Sequence, residues 1–421
     1  MSRVSLPGLD AHPHARAVLL PALRFLDGEE GSAEGQGGGR GPTHAYLFHG
    51  PPGVGKRTVA RAFAAALLAA GSPAPDEVRG RAARGAHPDL TWVTPSGAGE
   101  MLVGDVDQAV VAAAARTPFE SRRRVFVLED AHTLNDQAAN RLLKTLEEPP
   151  PFAHFVLLAP TPRELLPTIA SRCQQVRFDP LPPARIEERL RSERALALAG
   201  APGGEPGTGV AGEGGPPAVG SIEADAATAD ATLAACARLG LGDARLASRL
   251  AGEWGSRLRE RVEAFVSGAA SGDTAACPWL ELLQAARDAG TSAGEELAAR
   301  VAGELELLPP KERKRHEREA VEARRRVERR ARGGALDLAL RVAQLWLRDL
   351  WCVAEGAGEL VYALDRRPEL ERDATGRSPA QLRAAVELVR DTRLRLTLNV
   401  SEELALESLA YRLQALLATP G

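Results

Sequence analysis

Gly50-Pro51-Pro52-Gly53-Val54-Gly55-Lys56-Arg57-Thr58 is the stretch whose reading decides the fold. It follows the apolar run Ala45-Tyr46-Leu47-Phe48 and precedes an Ala-rich segment from Val59 to Ala70. Strand, glycine turn and helix, in that order, are what a phosphate-binding loop requires. The glycines let backbone N–H groups converge on an anion without Cβ clashes. The helix start that follows adds its partial positive charge. Lys56 is placed to reach terminal phosphates. Gly-Pro turns are common, but GxxxxGK between a strand and a helix is specific. Residues 50–58 are therefore the candidate nucleotide-binding set, with ATP as the candidate cofactor.

The loop departs from its pattern at one position. The residue after the lysine is ordinarily Ser or Thr, whose hydroxyl holds Mg²⁺. Here it is Arg57, and the hydroxyl comes one place later, at Thr58. One helical step turns a side chain by about 100°, so Thr58 does not simply substitute. A guanidinium has no lone pair for a metal and repels it by charge. The loop is suited to a phosphate, and poorly suited to a magnesium-dependent hydrolysis.

The chain has 421 residues and a formal net charge of −3, which suggests two or three domains and argues against a nucleic-acid binder held by bulk charge. With 44% hydrophobic and only 4% aromatic residues it leans on Ala, Leu and Val, which suits helix packing. No basic leader with an apolar core opens the sequence, and no apolar run is long enough for a bilayer. A cytoplasmic location with no membrane partner is expected. Cys173, Cys236, Cys277 and Cys352 form no CxxC pair, so reduced, mostly buried thiols are expected, with neither a disulfide frame nor a zinc site.

Residues 1–26 read as a lead-in and a helix, in which Pro21 is expected to kink or break the pattern. Residues 27–42 are Gly/Glu-rich and read as a flexible loop. Gly71 to Ala86 shows no periodicity. Strands are expected at Leu90–Val93, Arg124–Leu128, Phe155–Leu158 and Gln175–Phe178, with helices at Val103–Ala115 and Gln137–Leu146. Strands alternating with helices predict an α/β fold, a parallel, doubly wound sheet over about residues 1–180. Beyond Pro180 the strand signals stop. Residues 183–197 read as helix, 200–220 as a disordered Gly/Pro insertion, and 221–305 as mostly helical. Lys311 to Arg332 is a mixed-charge run, read as a solvated helix or linker rather than a DNA contact. Strong helical patterns resume at Leu336–Trp351, 379–396 and 402–418.

Glu129 and Asp130 end the third strand, where a nucleotide site places its acidic pair. The first would face a metal through water and the second would orient the attacking water. The usual order, Asp then Glu, is reversed, and Asp130 is a methylene short for the base. The alternative is an acidic strand end that caps a helix. Thr161, just past the fourth strand, is a candidate sensor of a γ-phosphate. Arg172, in Ser171-Arg172-Cys173, is a candidate finger for phosphate charge on a neighbouring subunit.

Together these stretches resemble the AAA+ clamp-loader ATPases of bacteria. The resemblance lies in His44–Phe48 with the loop, in His87-Pro88-Asp89, in Asn140-Arg141-Leu142-Leu143-Lys144-Thr145-Leu146-Glu147-Glu148-Pro149, and in Leu166-Pro167-Thr168-Ile169 through Ser171-Arg172-Cys173. It covers about residues 5–185 well and is weaker at Leu345–Leu350 and Asn399–Leu409. It implies an AAA+ P-loop module over 1–182, a helical lid over 183–305, a charged linker or helix over 306–334, and a helical collar for oligomerisation over 335–421. It implies a five-subunit ring, with motor (gamma/tau) and delta subunits, the sliding clamp and primed DNA as partners. It further implies a stator role in which the chain's own nucleotide site is degenerate and Arg172 serves the neighbouring motor's ATP. The family's four-cysteine zinc module has no counterpart in residues 71–86. Its lid arginine is matched only weakly by Arg245, for which a solvated helix arginine is an equal reading. Arg122, Arg123 and Arg124 could touch a DNA backbone, but a solvated basic loop before a buried strand explains them as well. A catalytically active gamma/tau-type motor is the alternative function. An unrelated P-loop kinase is a third, and lacks a recognisable substrate base.

Overall fold

Val125-Phe126-Val127-Leu128 and Phe155-Val156-Leu157-Leu158 are apolar on both faces, as strands covered by helices on both sides must be. The computed structural model, which describes residues 6–26, 41–95, 100–200, 219–306, 310–398 and 400–417, builds a five-stranded parallel sheet from them. The chain divides into two units, Met1–Leu181 and Pro182–Gly421.

In the first unit the chain runs through α1 (Pro13–Leu26), β1 (Ala45–His49), α2 (Lys56–Ala69), α3 (Pro75–Ala83) and β2 (Leu90–Val93). It continues as α4 (Val103–Val106), a π turn at Asp107–Val111, α5 (Ala112–Ala114) and β3 (Arg124–Leu128). α6 (Asp136–Glu147), β4 (Ala153–Ala159), α7 (Pro167–Ala170) and β5 (Gln174–Arg177) complete it. The strand order is β2-β3-β4-β1-β5, every neighbour parallel, with Tyr46 opposite both Val156 and Gln174. Alternate residues feed two cores. Tyr46, Phe48, Val125, Val127 and Val156 pack with Leu19, Phe63 and Leu67 of α1 and α2. Leu47, Phe126, Leu128, Phe155 and Leu157 pack with Val106, Leu142 and Leu146 on the other face.

Two expectations are corrected here. α1 runs unbroken through Pro21, because Pro21 and Ala17, whose carbonyl loses its bond, both lie on the exposed face. Buried Leu19, Ala22 and Leu23 hold the helix on either side of that gap. Residues 71–86, read as aperiodic, contain α3, which begins with Pro75 and has Asp76 and Glu77 in its first turn. Only Val78 and Ala82 of it are buried, too few to show as periodicity. The Gly-rich stretches 27–42 and 200–220 lie outside the described residues except at their edges, where helices run to Gly200 and from Val219.

His87-Pro88-Asp89 is a structural pin. The Asp89 carboxylate is fully buried and accepts the backbone N–H groups of Phe119, Glu120 and Ser121 at 2.6, 2.9 and 2.9 Å. His87 Nδ1 accepts the Asp89 N–H at 3.1 Å, which leaves Nε2–H to donate to Glu120 at 2.9 Å. The pair thereby fixes the loop that delivers β3.

The second unit is helical: α8 (Pro183–Gly200), α9 (Val219–Leu239), α10 (Ala244–Ala251), α11 (Glu253–Ser271), α12 (Trp279–Glu306), α13 (Pro310–Ala354), α14 (Arg367–Ala374), α15 (Pro379–Leu396) and α16 (Glu402–Leu417). α13 has 45 residues, about 67 Å of helix, so the charged run and the apolar pattern after it belong to one element. Its C-terminal half is buried through Leu336, Leu340, Leu347 and Leu350. Burial raises the Asp349 pKa, yet the carboxylate is satisfied by the Tyr362 and Ala363 N–H groups at 2.8 and 2.9 Å and by Arg348 at 2.7 Å. Arg259 and Asp365 form a second buried ion pair at 2.6 Å.

His154, in β4, is buried and donates from Nδ1 to the Thr43 carbonyl at 2.9 Å; burial lowers its pKa from 6.5 to about 4. Burial also lowers the pKa of His12 and His87. A histidine kept neutral in the fold but protonated when unfolded gives stability that is complete above pH 6.5 and lost as pH falls toward 4. Acidification across that window is expected to remove roughly 3 kcal/mol through His154 alone. Denaturant titrations at pH 7 and pH 4.5 test this, and His154→Gln should show a smaller loss on acidification than the wild type.

Candidate functional site

In a parallel sheet the C-terminal ends of all strands share one edge, where ligands of open α/β sheets bind. β1 delivers residues 50–58 to that edge, β3 delivers Glu129 and Asp130, and β4 delivers Thr161. The sequence-predicted pocket residues therefore converge by topology.

The loop is shaped by close approach. Gly50 has φ +147°, and a Cβ there would lie 2.1 Å from the Phe178 carbonyl oxygen, so no other residue fits. Its N–H donates to the Pro160 carbonyl at 3.0 Å, while Gly53 and Gly55 also take positive φ. Val54 is buried, and its carbonyl accepts a hydrogen bond from His12 Nε2 at 2.8 Å. Pro51 and Pro52 rigidify the turn between them. The first backbone bond of α2 runs from the Val59 N–H to the Gly55 carbonyl, so the amides just ahead of it have no intrahelical acceptor. His12 was not singled out in the sequence, and no local pattern marks it. It is fully buried, its ring lies 4.9 Å from Phe178, and its Nδ1 has no partner among the described residues.

The charged groups of the pocket are turned on one another. Lys56 Nζ donates to the Pro51 carbonyl at 2.6 Å and to that of Gly50. Arg57 Nε meets Glu129 Oε1 at 2.9 Å, with the Glu129 side chain only 13% exposed. The other carboxylate oxygen accepts the indole N–H of Trp92 at 3.0 Å. Arg61 lies over the Trp92 ring, 4.7 Å from its centroid. Thr58 is exposed on α2. These residues fit a phosphate but not a magnesium ion. A cation occupies the ligand position, and the carboxylate that would face the metal already neutralises it.

Asp130 sits in the left-handed region at φ 53° and receives the Thr133 hydroxyl and N–H at its backbone carbonyl. Thr161 caps a short 3₁₀ turn by accepting the Arg163 N–H at 3.0 Å.

Arg172 lies elsewhere. It precedes β5, and Glu147 precedes β4, so both lie at the N-terminal edge of the sheet, opposite the phosphate loop. Arg172 Nη2 contacts Glu147 at 2.6 Å and Nη1 donates to the Thr168 carbonyl at 2.9 Å, while its side chain stays 36% exposed. Cys173 beside it is buried, and burial pushes its thiol up to about 12, which makes it a core residue rather than a nucleophile. In the second unit Arg245 is exposed on α10, whose N-terminus Asp243 caps.

With this geometry established, comparison with known proteins narrows the class. A family model described as DNA polymerase III, delta subunit, matches residues 40–182. The delta-prime subunit of DNA polymerase III from Pseudomonas aeruginosa is 41% identical over 172 residues, 38% of this chain and 52% of its own length. That of Bacillus subtilis is 38% identical over 152 residues, 35% and 46%. The gamma/tau subunit of Mycobacterium tuberculosis is 34% identical over 157 residues, 35% and 26%. Residues 40–182 are thus similar in sequence to clamp-loader subunits of bacterial DNA polymerase III. The particular subunit that this module is similar to is delta-prime of DNA polymerase III. The chain spans about half the length of the curated delta-prime relatives it matches. No helix among the described residues is long and apolar enough to cross a membrane.

Gly50→Ala is expected to destabilise the first unit by about 3 kcal/mol, since its methyl group meets backbone rather than a movable side chain. Arg172→Ala, which loses an exposed ion pair and an exposed hydrogen bond to the Thr168 carbonyl, should cost about 1 kcal/mol. Thermal unfolding of the two variants against wild type measures both.

Proposed function

We propose that the chain is the stator of a bacterial clamp loader, the delta-prime subunit of DNA polymerase III. In this reading it helps ATP-driven motor subunits load the sliding clamp onto primed DNA and lends Arg172 to a neighbour's ATP. One observation carries the reading. Arg172, exposed, lies on the sheet edge away from the module's own phosphate loop, where a ligand held by another subunit would meet it. Arg172 would exchange Glu147 for phosphate oxygens that gain charge as the bond breaks, a task for which a planar, permanently charged fork is suited. In its own pocket the chain holds charge balance without metal, through Arg57 and Glu129, and acts there as a scaffold rather than a hydrolase. Gamma/tau and delta subunits, the clamp and DNA enclosed by the ring are the partners. Any DNA contact would be to the backbone and sensitive to salt.

The gamma/tau likeness supports a second reading, an active motor. It would need a metal-binding oxygen after Lys56 and a carboxylate free to receive the ion. The two are separated by turnover of the purified chain alone, where the stator reading expects none above background. In a complex reconstituted with gamma/tau and delta subunits, Arg172→Ala should lower ATP hydrolysis while leaving assembly intact by gel filtration. Wild-type turnover with that variant would overturn the stator reading.

A further inference from the structure

We propose that a cleft between α12, α13 and the α15–α16 turn is a docking site for an acidic peptide segment carrying apolar anchor residues. The inference is independent of the stator reading, since every residue in it belongs to the C-terminal helical unit.

The cleft has a volume of about 840 Å³ and an apolar floor made by Leu283, Leu336, Leu396 and Val400. Leu283 and Leu336 are buried, whereas Val400 is 46% exposed. Arginines rim it. Arg332 is held by Glu402 at 2.8 Å and Arg393 by Asp337 at 2.9 Å, so these two are positioned and neutralised. Arg287, Arg329 and Arg330 are exposed and make no ion pair or hydrogen bond among the described residues. A second, smaller cleft of about 520 Å³ shares Arg287, Arg329 and Arg332 and carries the groove along α13 to Glu322. From Glu322 to Asp337 the helix rises about 22 Å, the length of six or seven extended residues.

The backbone itself opens this space. Gly333 and Gly334 are consecutive glycines inside a helix, where each is less favourable than alanine. A Cβ at either would meet nothing within 4 Å, so packing does not require them. They do keep the wall of the cleft low. Residues 311–332 hold eleven basic and five acidic side chains, in a chain whose net charge is −3, so the positive charge is local to this helix.

Charge complementarity calls for an acidic occupant, and the floor calls for apolar side chains on it. A nucleic-acid strand fits less well. Among the described residues no aromatic ring lines the cleft for base stacking. Glu403, exposed and in no ion pair among the described residues, would also face a continuous phosphate backbone. A peptide can set single carboxylates against Arg287, Arg329 and Arg330 and avoid that position.

The test is fluorescence anisotropy on the full chain. The probe is a labelled peptide of about eight residues with two leucines three positions apart among glutamates. Companion probes replace the leucines with serine or the peptide with oligothymidylate. The leucine peptide is expected to bind at least about tenfold more tightly than either companion, and to weaken in high salt. Arg329→Glu with Arg330→Glu should abolish the preference, and Arg390→Glu, on an exposed face outside the cleft, should preserve it. Gly334→Leu fills the cleft while favouring the helix, so it should also lower binding, and circular dichroism verifies that it folds. The proposal is overturned if the leucine peptide fails to bind, if the serine peptide or the oligothymidylate binds as well, or if filling the cleft leaves binding unchanged.

Discussion

Parallel pairing of β1 with both β4 and β5 is the constraint on which the module depends. It sends the ends of β1, β3 and β4 to one edge and the starts of β4 and β5 to the other. The phosphate loop, Glu129 and Thr161 gather on the first edge, and Glu147 and Arg172 on the second. A single module thus presents a loop to one side and a guanidinium to the opposite side. That polarity comes from sheet geometry alone.

The Arg57–Glu129 contact neutralises the carboxylate that ends β3. Burying a strand-end carboxylate beside a phosphate loop is costly unless a cation faces it. In a magnesium-dependent site the ion supplies that charge. Here Arg57 supplies it from within the chain, and the Trp92 indole satisfies the second oxygen. Lys56, turned onto the loop carbonyls, is held in the same way. The loop therefore has its charges met by its own residues. The half-exposed guanidinium limits the energy of the pair to about 1 kcal/mol, so it fixes arrangement more than it adds stability.

The helical unit is organised by different physics. Its pins are buried polar groups held by partners: Asp349 on two backbone N–H groups and Arg348, and Asp365 on Arg259. Such groups destabilise a core when any partner is missing, and so favour one arrangement of otherwise interchangeable Ala- and Leu-rich helices. α13 joins both regimes, buried in its second half and arginine-rich in its first.

The sequence by itself determined the α/β class and the helical C-terminal half, and it placed a glycine-rich turn with Lys56 and Arg57 between β1 and α2. Each of these is written in local spacing or in side-chain chemistry. It misjudged Pro21, because whether a helix survives a proline depends on which face the freed carbonyl occupies. It passed over α3, whose two buried residues leave no periodic trace. It gave Asp89 and His12 no role, since their partners lie about thirty and forty residues away in sequence. Only the tertiary structure decided that Arg57 spans to Glu129, that Arg172 lies across the sheet from its own loop, and that two glycines open an arginine-rimmed groove. Those are relations between elements distant along the chain, and they are set by strand order and helix packing, to which local sequence patterns are blind.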